Sequence, residues 1–179
     1  MKLPSQSGNR SAGLSLIEVM VGATIGSILL AVIGSLVMFT ARSFVAVGNY
    51  ADLDRASRNA LDVLSQQVRQ CRALSGFTTN KLTLLDNDNG TLIFEYSPAT
   101  KKLTRQKGKA TKVLLTECDY LNFRIFQRNP SNDFTFFPVS ADLLATAKMV
   151  DISWKCSRKI LDAKVNTESV QTAKIVIRN

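Results

Sequence analysis

Between Val19 and Ala41 the chain runs for 23 residues without a charged side chain. At about 1.5 Å per residue a helix of that length reaches about 35 Å, enough to cross a hydrocarbon core about 30 Å thick. The apolar part of a cleaved secretory signal is shorter, roughly 7–15 residues, and ends at a small-residue exit site. This run is longer and passes into a helical pattern without a break. One residue sits uneasily in it. From Leu14 to Ala41 the only charge is Glu18. A charge at the centre of a membrane helix costs about 2.5–3.5 kcal/mol on insertion scales. Near an end the cost is smaller, but the carboxylate still requires a partner. Lys2 and Arg10 come before the run, and no acidic residue precedes Glu18. The positive-inside rule then puts the N-terminal tail in the cytoplasm and the rest of the chain outside.

Past Arg42 the composition is that of a soluble domain. Leu53, Ala60, Leu61, Leu64, Val68, Cys71 and Leu74 recur at steps of three and four, with Asp52, Arg55, Asp62, Gln66 and Arg69 largely between them. That is the period of an amphipathic helix. No proline falls between Pro4 and Pro98, so one helix is expected from about Leu14 to Leu74, with Gly76 as its stop. Its first half is apolar all round and its second half has a single apolar stripe. Gly22, Gly26, Gly34 and Gly48 weaken the helix locally. Gly22 and Gly26 also form a GxxxG, a pattern that permits close helix approach in a membrane.

Beyond Gly76 the apolar period changes to two. Lys81 to Leu85, the turn "DNDNG" and Leu92 to Tyr96 read as a hairpin. Leu121, Phe123 and Ile125 alternate with Asn122 and Arg124. Val150, Ile152 and Trp154 alternate with Asp151, Ser153 and Lys155, and Ala173, Ile175 and Ile177 with Lys174 and Arg178. "RNPSND" at 128–133 reads as a further turn. Each strand has one wet face and one dry face, so the sheet must be covered. The amphipathic half of the helix is the available cover. The expected fold is α+β: a long N-terminal helix, its first half transmembrane and its second half packed on an antiparallel sheet.

Several kinds of chemistry are excluded. The chain has no histidine, which removes Ser-His-Asp and Cys-His catalysis and every histidine metal site. No Walker loop or dinucleotide fingerprint occurs. Asp86, Asp88 and Gly90 resemble a calcium loop only faintly: the glycine is misplaced and Ser97 stands where a bidentate glutamate belongs. No enzyme, cofactor or metal centre is expected. Net charge is +9, or +7 once Lys2 and Arg10 leave with residues 1–13. The densest basic cluster, Lys101, Lys102, Arg105, Lys107, Lys109 and Lys112, has no interleaved aromatic residue. It lacks a stacking platform for nucleic acid and reads as a solvated hairpin rim.

Three cysteines cannot close a four-thiolate zinc site. In an oxidising compartment one disulfide with one free thiol is possible, and so are three buried free thiols. Cys71 lies on the helix stripe and Cys156 shares parity with Val150, Ile152 and Trp154, so both should face the core. Cys118 shares parity with Asn122 and Arg124, which point outward if no bulge intervenes. Cys71–Cys156 is therefore the favoured pair if one forms.

The N-terminal stretch "AGLSLIEVMVGATIGSILLAVIG" resembles that of type IV pilins and type II secretion pseudopilins. The resemblance rests on a short basic leader, a glycine, a glutamate five residues on, and an uninterrupted apolar helix. It implies that prepilin peptidase cuts between Gly13 and Leu14, that Leu14 becomes the N-methylated terminus, and that Glu18 serves assembly. Phenylalanine is usual where Leu14 stands, and the proline often found in the first helix is missing; Gly26 and Gly34 supply comparable local softness. A weaker similarity in "LDRASRNALDVLSQQVRQCRAL" and "CDYLNFRIF" is to minor subunits, W-type in pili and J-type in type II secretion.

The organisation so implied has three parts: a leader at 1–13 that is removed, a transmembrane or filament-core segment at 14–41, and an exterior pilin-like domain at 42–179. The implied function is that of a minor pilin or pseudopilin, a structural subunit that starts or caps a filament. Its partners would be prepilin peptidase, other minor and major subunits and the inner-membrane assembly platform, with no nucleic acid. The alternative is a non-polymerising bitopic membrane protein whose exterior domain binds secreted substrate or DNA. A plain anchor gains nothing from a carboxylate at Glu18, which separates the two.

Overall fold

A computed structural model describes residues 15–129, 135–159 and 167–178. Helix α1 spans Leu16–Gln70 without interruption. The chain divides into two compact units, one ending at Ser43 and the other beginning at Phe44.

In the first unit the described residues are almost entirely helix, and none is buried. Between Leu16 and Ser43 the hydroxyl side chains are all turned back on the helix itself. Thr24 donates to the Val21 carbonyl, Ser27 to Thr24, Ser35 to Val32 and Thr40 to Leu36, each at 2.8 Å, and Ser43 to Phe39 at 3.1 Å. Such bonds leave no hydroxyl in want of a partner from water.

In the second unit α1 buries Leu53, Ser57, Ala60, Leu64 and Val68, spaced by four, three, four and four. That spacing keeps one face turned to the sheets. The strands are β1 (Ala73–Thr78), β2 (Lys81–Leu85), β3 (Thr91–Ser97), β4 (Lys102–Lys107), β5 (Ala110–Leu115), β6 (Cys118–Arg128), β7 (Phe136–Pro138), β8 (Ala147–Ser157) and β9 (Glu168–Val176), with a 3₁₀ turn at Ala141–Thr146. They form two antiparallel sheets where one was expected. The first is a meander in the order β1-β2-β3-β4-β5, and the second has the order β7-β6-β8-β9. Both inner faces join the helix stripe in one core, with Leu82, Leu84, Phe94 and Leu103 from the first sheet and Phe123, Ile125, Ile152, Trp154 and Ile175 from the second. The α+β class expected from the sequence is the class observed.

Four details differ from expectation. The helix ends at Gln70, so Leu74 belongs to β1 rather than to the helix. The Arg72 N–H already bonds the Leu85 carbonyl at 2.8 Å, and pairing with β2 takes the chain out of the helix. Gly76 is not a helix stop. It sits at a register shift in β1, where an added Cβ would stand 3.2 Å from the Thr83 Cβ, so the close approach of β2 leaves a side chain there little room. Cys118 is buried, because a register shift between Cys118 and Tyr120 reverses the parity of everything before it. Asp151, expected on the wet face, is only 2% exposed. Its cross-strand neighbours Arg124 and Lys174 flank it, and the Arg124 guanidinium reaches its carboxylate at 2.8 Å.

The "DNDNG" segment is a hairpin turn. Asp86 N–H bonds the Gly90 carbonyl at 2.9 Å, and Asn89 takes a positive φ of 57°. Part of "RNPSND" lies outside the described residues; next to it, the Asn129 N–H bonds the Thr135 carbonyl at 3.1 Å.

Candidate functional site

Gly13 and Leu14 lie outside the described residues. Glu18 stands in the first turn of α1, where the Glu18 N–H bonds the Ser15 carbonyl at 3.0 Å and the Val19 N–H bonds the same oxygen at 3.2 Å. A carboxylate there benefits from the positive end of the helix dipole. Its side chain is exposed, and among the described residues it has no hydrogen-bond or ion-pair partner. Every hydroxyl between Leu16 and Ser43 is satisfied within the helix; the carboxylate is not.

Around and beyond Glu18, Leu16, Ile17, Val19, Met20, Val21 and Ile25 are all exposed large apolar residues, and the pattern continues to Phe39. The helix is long and apolar enough to cross a membrane, and nothing in its apolar window is buried. A Cβ added at Gly22, Gly26, Gly34 or Gly48 would meet nothing within 4 Å. Among the described residues no contact therefore requires glycine at those four positions. Among the described residues the arrangement is a bare apolar surface with one unpaired carboxylate at its head. It can bind lipid or other helices, and it can accept a cation from outside the chain.

The other sequence-flagged groups are occupied elsewhere. Lys107 bonds Asp86 at 2.5 Å, Lys101 bonds Asp119 at 2.7 Å and Arg105 donates to Gln67 at 2.8 Å, so half of the basic cluster is engaged within the domain. The Lys107 ammonium, with help from the Asn87 N–H, holds the Asp86 carboxyl below its ordinary range. All three cysteines are free and buried. Cys71 faces the core as expected, its thiol donating to the Val68 carbonyl at 3.1 Å, and burial pushes its pKa up. The register sets Cys156 opposite Cys118, not Cys71. The Cys118 thiol donates to the Tyr120 carbonyl at 3.2 Å. The nearness of the two thiols lowers the pKa of Cys118 and, together with burial, raises that of Cys156.

Ser57 was not singled out by the apolar period because it is polar. It is fully buried, receives the Trp154 indole N–H at 3.3 Å and bonds Ser169 at 3.4 Å. Its signal was positional: it falls one turn before Ala60 and Leu61, on the stripe itself.

Residues 8–34 match the model of the prokaryotic N-terminal methylation motif. The match is to the N-terminal segment alone: it takes in the start of α1, where the apolar helix begins, and ends at Gly34. No curated protein and no solved structure matches the chain.

Proposed function

We propose that this chain is a minor pilin or pseudopilin, a structural subunit that initiates or caps a type IV pilus or a type II secretion pseudopilus. Prepilin peptidase removes residues 1–13 by cutting between Gly13 and Leu14, and the new Leu14 amine is methylated. The protein then stands in the cytoplasmic membrane with α1 as its single span and the domain after Arg42 on the exterior side. From there it joins other subunits through the inner-membrane assembly platform.

The observation that carries this reading is Glu18: a carboxylate without a partner among the described residues, heading a bare apolar helix inside the methylation-motif match. Cleavage creates a positive amine at Leu14, and methylation leaves that charge in place. In a bundle of staggered helices the amine of one subunit can lie beside Glu18 of another. The low dielectric there strengthens the attraction. A protein that merely anchors a binding domain would have no use for the carboxylate.

Mass spectrometry of protein from cells with active peptidase tests the reading. The expected mature chain starts at N-methyl-Leu14. An intact Met1 terminus would remove the filament assignment.

A further inference from the structure

Cys118 opens β6 and Cys156 lies next to the end of β8, and the antiparallel register makes them direct partners. Directly opposed residues in such a ladder have Cα atoms about 4.5–5.5 Å apart, within the window of about 4.4–6.8 Å that a disulfide spans. Both are buried on the core side of that ladder, as is Cys71. The Cys118 thiol donates to the Tyr120 carbonyl at 3.2 Å and the Cys71 thiol to the Val68 carbonyl at 3.1 Å, but of the three cysteines it is Cys118 and Cys156 that stand opposite each other across two strands.

We propose that Cys118 and Cys156 are joined as a disulfide in the mature protein, tying β6 to β8 and leaving Cys71 as a buried free thiol. The proposal rests on the exterior placement of the domain given above, since such bonds persist in oxidising compartments. The oxidant is a protein disulfide of that compartment. A Cys118 thiolate attacks one of its sulfurs, and the other leaves as a thiolate. Cys156, once deprotonated, then attacks the Cys118 sulfur of the mixed disulfide and releases the oxidant as a dithiol. Two electrons and two protons pass from the cysteine pair to the oxidant. Because both sulfurs are covered in the folded domain, this exchange belongs to folding, before the core closes over them. Afterwards the same burial shields the bond from reductants. The closed loop, residues 119–155, holds most of β6 and β8, so the bond ties the two strands at the end of the pair away from β7.

The test uses the full chain, quenched from cells in acid, alkylated after denaturation and digested with trypsin without reduction. Residues 113–124 should appear linked to residues 156–158, with Cys71 alone carrying the alkyl group. Cys156→Ser should abolish the linked peptide and Cys71→Ser should leave it. Protease added to intact spheroplasts reports separately which side of the membrane the domain occupies. Alkylation of all three thiols in protein cut from outside overturns the disulfide and leaves the placement standing. Protection from the protease overturns the placement. The disulfide is then decided on the full chain in detergent, equilibrated with oxidised and reduced glutathione. Linkage of Cys118 to Cys156 there sustains the proposal, and free thiols at an oxidising ratio overturn it.

Discussion

From Leu16 to Ser43, α1 carries leucine, isoleucine, valine, methionine and phenylalanine on every face and buries none of them, whereas from Phe44 to Gln70 it buries five residues along one stripe. The polar groups differ in the same sense. In the first stretch the hydroxyls bond back to their own helix. In the second, Ser57 bonds outward to Trp154 and Ser169, Gln67 accepts from Arg105, and Asn49 accepts from Arg158 at 3.1 Å. One continuous helix thus meets two surroundings. The first stretch is exposed apolar surface among the described residues, and the second faces the chain's own sheets.

The sharpest way to break that comparison is to separate the halves. A fragment starting at Asn49 keeps every buried helix residue and the Arg158 bond. It should fold and stay monomeric in buffer, whereas the chain from Leu14 should need detergent. Circular dichroism and sedimentation decide this, and a fragment that aggregates would mean the second half also depends on the first. Next in size is Leu64→Ala, which empties a fully buried site and should cost about 2–5 kcal/mol in denaturant unfolding of that fragment. Leu61 is only partly buried and should cost less. Equal, negligible losses at both would mean that the helix does not cover the sheets.

Ser57→Ala comes third. It leaves the Trp154 N–H unpartnered in the core and should cost about 1–3 kcal/mol, read in the same unfolding experiment. The smallest effect belongs to Asp86. Lys107 holds its folded pKa below the unfolded value of about 3.9, so the pair stabilises the domain above that pH and the benefit is lost as pH falls through the folded pKa. An exposed pair of this kind is worth about 0.2–1 kcal/mol. Comparing Lys107→Met with the parent at neutral pH and below the folded pKa should show the difference between them shrinking in acid.

Much of the second unit was legible because its strands are wet on one face. Lys81–Leu85 coincides with β2, and the alternations around Phe123, Ile152 and Ile175 locate β6, β8 and β9. What was lost was lost where two periods agree or a strand breaks step. Cys71 and Leu74 are three apart, which suits a helix stripe, yet both are buried after the helix has ended. The bulge after Cys118 has no signature in the neighbouring residues, and it turns a cysteine expected to point outward into the core and sets it opposite Cys156. The division into two sheets was equally hidden, since alternation marks a face but not a neighbour. At the candidate site, Glu18 was legible from charge alone. Its lack of a partner within the described residues is what the structure adds.

The most direct test concerns that missing partner. If the Leu14 amine of one subunit neutralises Glu18 of another, removing one charge strands the other in an apolar bundle, a loss of roughly 3–5 kcal/mol. That corresponds to about two to four orders of magnitude in association. The measurement is crosslinking of Glu18→Ala to its partner subunits in the membrane, with the processed N-terminus checked by mass spectrometry. The expected variant is inserted and cleaved after Gly13, yet crosslinks to no partner and enters no filament, with Glu18→Lys worse still. Crosslinking and assembly at the parent level by Glu18→Ala would contradict the pairing.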